Sequence, residues 1–171
     1  MVETENNLIN DHKLEEKDIW KALEHVKDPE IPVLSVVDMG IITGIEIDDG
    51  SVEITMTPTF VGCPAIEVIK NSIYNEVKQL GFAEVKVKVD YVTRWTSNRM
   101  SEAAKQKLEK FGLAPPAFME SELTEEQLNR VRCPHCGSTD TTLRSPFGST
   151  LCRAIRFCFN CKQGFEQFKP I

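Results

Sequence analysis

The chain has 171 residues, 41% of them hydrophobic, enough for one ordinary domain and a small second one. Its net charge of −6 is unevenly spread: residues 131–171 carry six Lys/Arg against two Asp/Glu, and residues 1–130 carry fourteen against twenty-four. An acidic body argues against nucleic acid as the main partner, and no apolar run reaches membrane-spanning length.

Residues 1–13 are polar and acidic, unlike a targeting segment, and read as a disordered N-terminus. A helix is predicted over 14–26, with Ile19, Ala22, Leu23 and Val26 on one face, stopped by Asp28-Pro29. Residues 28–40 form a loop too apolar to stand in solvent, so it is expected to lie against the domain. Two strands, 41–47 and 51–57, flank a hairpin turn at Asp48-Asp49-Gly50, with Val52, Ile54 and Met56 alternating with Glu53, Thr55 and Thr57. Pro64 suits the first position of a helix, and Ile66, Ile69, Ile73, Val77 and Leu80 keep helical spacing up to Gly81. Val85, Val87, Val89 and Tyr91 alternate with Lys86, Lys88 and Asp90, a strand with a solvated face. Ser101 is placed to cap a helix over 102–111, closed by Gly112. Residues 113–131 are expected to be a linker, with a short helix after Thr124. The predicted class is α+β, a three-stranded sheet packed with helices.

The C-terminus reads C-x2-C-x21-C-x2-C, formed by Cys133, Cys136, Cys158 and Cys161. Two such knuckles complete a tetrahedral four-thiolate site with no open position, which makes the site structural. Zinc is the expected occupant, with a rubredoxin-like iron as the alternative that geometry does not separate. His135 stands between two of these cysteines as a possible substitute ligand. A segment this small needs such a metal to fold, so residues 132–171 are expected to form a zinc ribbon. Phe147, Phe157, Phe159, Phe165 and Phe168 are expected to form its small core, with room for one or two of them to dock on the body. Cysteine pairs of this kind suit a reducing compartment, hence a cytoplasmic protein.

Cys63 stands apart. It precedes Pro64 at the expected helix N-cap, where unpaired N–H groups favour a thiolate and lower its pKa. It reads either as a small buried cap or as a nucleophile, redox centre or soft-metal ligand, with Thr57 and Thr59 as hydroxyl neighbours. Asp28, Glu30 and Asp38 flank the apolar loop, either as acid, base or hard ligands near Cys63 or simply as turn caps. Cys152 is packed in the ribbon or is a spare ligand. No complete catalytic constellation is visible.

The stretches Asp28-Pro29-Glu30-Ile31-Pro32, Ser35-Val36-Val37-Asp38-Met39-Gly40 and Thr57-x-Thr59-x-x-x-Cys63-Pro64 resemble the SufT-like (MIP18-like) iron–sulfur assembly domain over about residues 14–112. That resemblance implies that Cys63 is the functional thiol, flanked by Asp28 and Glu30. Trp95-Thr96, Phe111-Gly112-Leu113-Ala114-Pro115-Pro116 and the cysteine module with its Phe165-Glu166-Gln167-Phe168 ending are similar to the PaaD family of phenylacetyl-CoA epoxidase systems. This implies a non-catalytic maturation factor for the iron or iron–sulfur centres of an oxygenase in aerobic phenylacetate degradation. The expected partners are the oxygenase or reductase subunits of that system, with a homodimer as a further possibility. A transient iron or cluster at Cys63 is implied, its other ligands shared with a second copy or a client. The alternatives are a structural or regulatory oxygenase subunit, or a zinc-ribbon nucleic-acid adaptor using Arg144, Arg153 and Arg156.

Overall fold

A computed structural model describes residues 14–119 and 130–171. The expectations for the N-terminal 13 residues and for a helix after Thr124 fall outside the described residues. The element order is α1 (Glu16–Leu23), β1 (Ile42–Asp48), β2 (Ser51–Met56), α2 (Ile66–Lys78), β3 (Glu84–Val89), α3 (Glu102–Phe111), β4 (Leu113–Ala114), β5 (Thr141–Ser145), β6 (Arg153–Cys158) and β7 (Gly164–Phe168). The fold is α+β: a three-stranded sheet packed with helices, then a ribbon carrying four clustered cysteines.

The first sheet has the order β1-β2-β3. β1 and β2 form the expected antiparallel hairpin, turning through Asp49 and Gly50, both at positive φ. β2 and β3 are parallel, because α2 carries the chain back across the sheet before β3 begins. Val52, Ile54 and Met56 are buried on the inner face of β2. Ile66, Ile69, Ile73 and Val77 form the buried stripe of α2, as their 3.6-residue period requires. On α1 the buried residues Ile19, Ala22 and Leu23 match the expected face, but the helix stops at Leu23, and Val26 is buried from the turn beyond it. β3 ends at Val89, two residues short of Tyr91. Asp90 bends the chain there, its carboxylate accepting from the N–H groups of Val92 and Thr93 at 2.8 and 3.1 Å.

The apolar loop after α1 is pinned to the core by Ile31, Leu34, Val36 and Met39, all buried. Gly40 ends it at φ +62°, where a Cβ would lie 2.5 Å from the carbonyl oxygen of Arg99. The Ser101 hydroxyl caps α3 by accepting from Ala104 N–H at 3.0 Å, and Gly112 closes that helix in the left-handed conformation.

The second sheet has the order β4-β7-β6-β5. Its short edge strand β4 comes from the start of the stretch expected to be a linker. The aromatic residues divide between the ribbon core, the body and the surface. Only Phe165 joins Ala114, Val131, Cys133 and Cys158 in the ribbon core. Phe168 belongs to the body core instead, with its ring centroid 6.0 Å from that of Trp95. Phe147 and Phe159 are exposed, and Phe157 lies under the guanidinium of Arg144 at 5.1 Å. The ribbon was too small to need all five rings, and the body offered one of them a dry site. Beyond β7, Ile171 exchanges hydrogen bonds with Ser97, its main-chain oxygen accepting from Ser97 N–H at 2.9 Å and its own N–H donating to the hydroxyl at 3.3 Å.

Candidate functional site

Two sulfur centres can be built from these elements. The first is the ribbon cluster. Cys133 and Cys136 flank the turn before β5, Cys158 ends β6, and Cys161 lies in the turn to β7. All four sulfurs lie within 4.8 Å of one another, with Cys133–Cys161 at 3.7 Å and Cys136–Cys158 at 3.6 Å. A tetrahedral zinc with bonds of about 2.3 Å places its sulfurs about 3.8 Å apart, so the quartet fits that ion. The side-chain amide of Asn160, 3.6 Å from Cys136 Sγ, helps lower that thiol to about pKa 6. His135 is exposed between its two neighbours and is not in the quartet.

The second centre surrounds Cys63. The chain leaves β2 through Pro58 and turns at Gly62, which sits at φ +86°. A turn over Pro64 and Ala65 then precedes α2, so Cys63 caps this turn rather than the helix proper. Its carbonyl accepts from Ile66 N–H at 3.2 Å. The thiol is partly buried, facing a cavity of about 270 Å³ lined by Glu30, Thr59, Phe60 and Pro64 from the body and by residues 147–152 from the ribbon.

The expected acidification of Cys63 is overturned. Burial pushes the thiol up, the N–H groups of Ala65 and Ile66 pull it down, and the negative charges of Glu30 and Asp28 add to the rise. The net pKa lies above the ordinary 9.0. A helix terminus lowers a thiol only when its field exceeds desolvation and nearby carboxylates. Here it does not.

The other residues singled out from the sequence disperse. Asp28 is buried, and one of its carboxylate oxygens accepts from the N–H groups of Glu30 and Ile31, both at 2.8 Å. It thus shapes the loop and adds charge behind Cys63. Glu30 lines the cavity itself. Thr59 does also, whereas Thr57 is buried and its hydroxyl meets that of Thr43 at 3.4 Å. Asp38 is not brought to Cys63. Its carboxylate accepts from Ser35 N–H at 2.9 Å and pairs with Lys107 at 2.6 Å. Burial draws the Asp38 carboxyl upward, but Lys107 and Ser35 outweigh it and hold it below its usual range.

Cys152, expected to be packed in the ribbon or a spare ligand, is partly buried against the body core instead. It lies just before β6 on the rim of the Cys63 cavity, not in the ribbon quartet. No periodicity links two positions so far apart in the chain; the only hint was a cysteine left over from the quartet. Arg153 and Arg156, candidate nucleic-acid contacts by sequence, are both buried. Arg153 holds Glu166 at 2.9 Å, and Arg156 Nε donates to Gln167 at 2.6 Å. Among the described residues no helix is long and apolar enough to cross a membrane.

An α+β body followed by a four-cysteine ribbon agrees with the comparisons to known proteins. Residues 16–109 match the family described as iron–sulfur cluster assembly protein, and the chain belongs to that family. Residues 119–169 match the PaaD zinc beta ribbon domain. Over 90% of its length the chain is 39% identical to an Escherichia coli K12 protein, 92% of which is covered, provisionally named as one of the subunits of 1,2-phenylacetyl-CoA epoxidase. The body alone, 52% of the chain, is 38% identical to 86% of an Fe–S protein maturation auxiliary factor of Porphyromonas gingivalis. A crystal structure of a domain of unknown function from Bacillus anthracis superposes with a TM-score of 0.51 at 30% identity, covering 54% of this chain and 90% of that one.

Proposed function

We propose that this protein is a cytoplasmic, non-catalytic maturation factor that delivers or repairs iron, or an iron–sulfur cluster, in the centres of a phenylacetyl-CoA epoxidase-type oxygenase. The observation that carries this reading is Cys63: a thiol outside the closed quartet, facing an open cavity, in a chain of the iron–sulfur assembly family. A metal being passed on needs exchangeable ligands, and a four-thiolate site with no open position offers none. The ribbon therefore serves as structure, with zinc in its quartet, and Cys63 as the working sulfur. Its raised pKa suits the task. A protonated thiol resists oxidation while empty and gives up its proton when a metal arrives. A cluster takes about four ligands, so the rest come from elsewhere in the chain, from a second copy or from a client protein. The client suggested by the relative's name is the oxygenase or its reductase.

The test is Cys63→Ser in cells expressing the oxygenase, with the variant shown to be folded and zinc-loaded. The expected result is an oxygenase that accumulates but lacks iron or its cluster and turns over at less than about a tenth of the normal rate. A fully metallated, active oxygenase would leave Cys63 as a turn cap and shift the reading to a structural component of the complex.

A further inference from the structure

The loop between β5 and β6 brings a second thiol to the Cys63 cavity, and several interactions hold it there. Cys152 is half-buried, 89 residues from Cys63 in sequence, and faces the same space of about 270 Å³. Its neighbour Arg153 reaches across to the body, donating from Nη2 to the Glu30 carbonyl at 2.6 Å while Nη1 holds Glu166 at 2.9 Å. Glu166 in turn accepts from Ser149 N–H at 2.7 Å, which fixes the loop ahead of Cys152. Gly148 lets this loop close: a Cβ there would lie 2.8 Å from the Glu166 carboxylate and 2.9 Å from Arg153 Cβ. The backbone carbonyl of Cys152 accepts from Lys169 N–H at 2.8 Å. The Lys169 ammonium lies 5.5 Å from the ring of Phe60 on the body and 5.7 Å from that of Phe147 on the ribbon. Body and ribbon are thus tied on two sides of a cavity that carries one thiol from each.

We propose that Cys63 and Cys152 form a two-thiolate seat for a thiophilic divalent cation of the ferrous type. This inference rests on the maturation reading and supplies its missing second ligand from the same chain. Each S–H releases its proton to solvent as its sulfur–metal bond forms, and no change of oxidation state is involved. Asp28 and Glu30 bring negative charge to both thiols, and Arg153 opposes them at Cys152. A volume of 270 Å³ holds several waters at about 30 Å³ each, so positions on the ion stay open to a client's ligands. That openness separates this seat from the ribbon quartet, where four sulfurs close the coordination sphere. Two thiolates with exchangeable partners bind firmly enough to load and loosely enough to hand over.

The experiment uses the full-length, zinc-loaded, reduced protein under anaerobic conditions, titrated with cobalt(II) as a spectroscopic substitute for ferrous iron. Thiolate-to-cobalt charge-transfer absorption reports how many sulfurs bind, and zinc measured in the same samples reports whether the ribbon has exchanged. The expected result is one cobalt bound per chain without zinc release, at an intensity that halves in Cys152→Ser and in Cys63→Ser. Affinity should fall at least tenfold in each and binding should vanish in the double variant. Cys152→Ala is the second variant should the serine disturb the loop. In the unsubstituted protein, bound cobalt is expected to slow alkylation of Cys63 and Cys152 together. Full intensity and affinity in Cys152→Ser, with loss in Cys63→Ser, would overturn the seat and leave the maturation reading standing. Signal that appears only as zinc is released would also overturn it. A two-thiolate site in vitro, beside an oxygenase in cells indifferent to Cys63→Ser, would keep the seat and remove the maturation role.

Discussion

Cys63 and Gly40 show how far single positions depend on their surroundings. The Cys63 thiol is raised by burial first and by the carboxylates of Glu30 and Asp28 after the opposing N–H of Ala65. Removing the cavity-lining charge in Glu30→Gln is expected to enlarge the thiolate fraction, so that iodoacetamide modifies Cys63 about twofold to fivefold faster at pH 8. Peptide-resolved mass spectrometry measures this, and an unchanged rate would mean that burial alone sets the pKa. Gly40 is fixed by space as well as by conformation. Gly40→Ala meets the Arg99 backbone at 2.5 Å and is expected to cost about 3 kcal/mol. Gly62→Ala, at φ +86° with nothing within 4 Å of its Cβ, is expected to cost about 1 kcal/mol. Urea unfolding of the two variants compares them directly, and equal losses would refute the steric argument.

Among the elements, β7 has two allegiances. It pairs with β6 and β4 in the ribbon sheet, yet its last residue, Phe168, is fully buried in the body core against Trp95. The Trp95 indole N–H in turn donates to the Met39 carbonyl at 3.0 Å, at the end of the loop that began at Asp28. One aromatic pair thus joins the ribbon's last strand to the apolar loop. Phe168→Ala is expected to destabilise the body by about 3–5 kcal/mol, as deletion of a buried ring does, while the ribbon keeps its zinc. Thermal unfolding and zinc content check both parts. A loss of zinc with little loss of body stability would place Phe168 energetically in the ribbon.

At the scale of the molecule, the two sheets differ in what holds them. The body core is large, whereas the ribbon core is Ala114, Val131, Cys133, Cys158 and Phe165, two of them cysteines of the quartet. Too little apolar area is buried there to order the ribbon unaided. Metal removal by a chelator is expected to release the amides of Arg153–Cys158 to rapid hydrogen exchange while those of Ser51–Met56 stay protected. Equal loss in both strands would mean that the molecule unfolds as one unit. Because Cys152 adjoins β6, the same treatment is expected to raise its alkylation rate.

The chain by itself determined what local periodicity and spacing encode. The stripe of α2, the alternation of β2, the Ser101 cap and Gly112 stop of α3, and the cysteine pairs all follow from rules that reach a few residues along the chain. The family resemblance located Cys63, Asp28 and Glu30 for the same reason, since each lies in a contiguous motif. Tertiary structure alone decided the parallel pairing of β2 with β3, the burial of Phe168 in the body and the removal of Asp38 to Lys107. It also set the direction of the Cys63 pKa, because desolvation and charge depend on what packs around a thiol and not on its place before a helix. The placing of Cys152 on the Cys63 cavity belongs there too. It is made by an arginine reaching from ribbon to body, and such a contact leaves no periodic trace in the sequence.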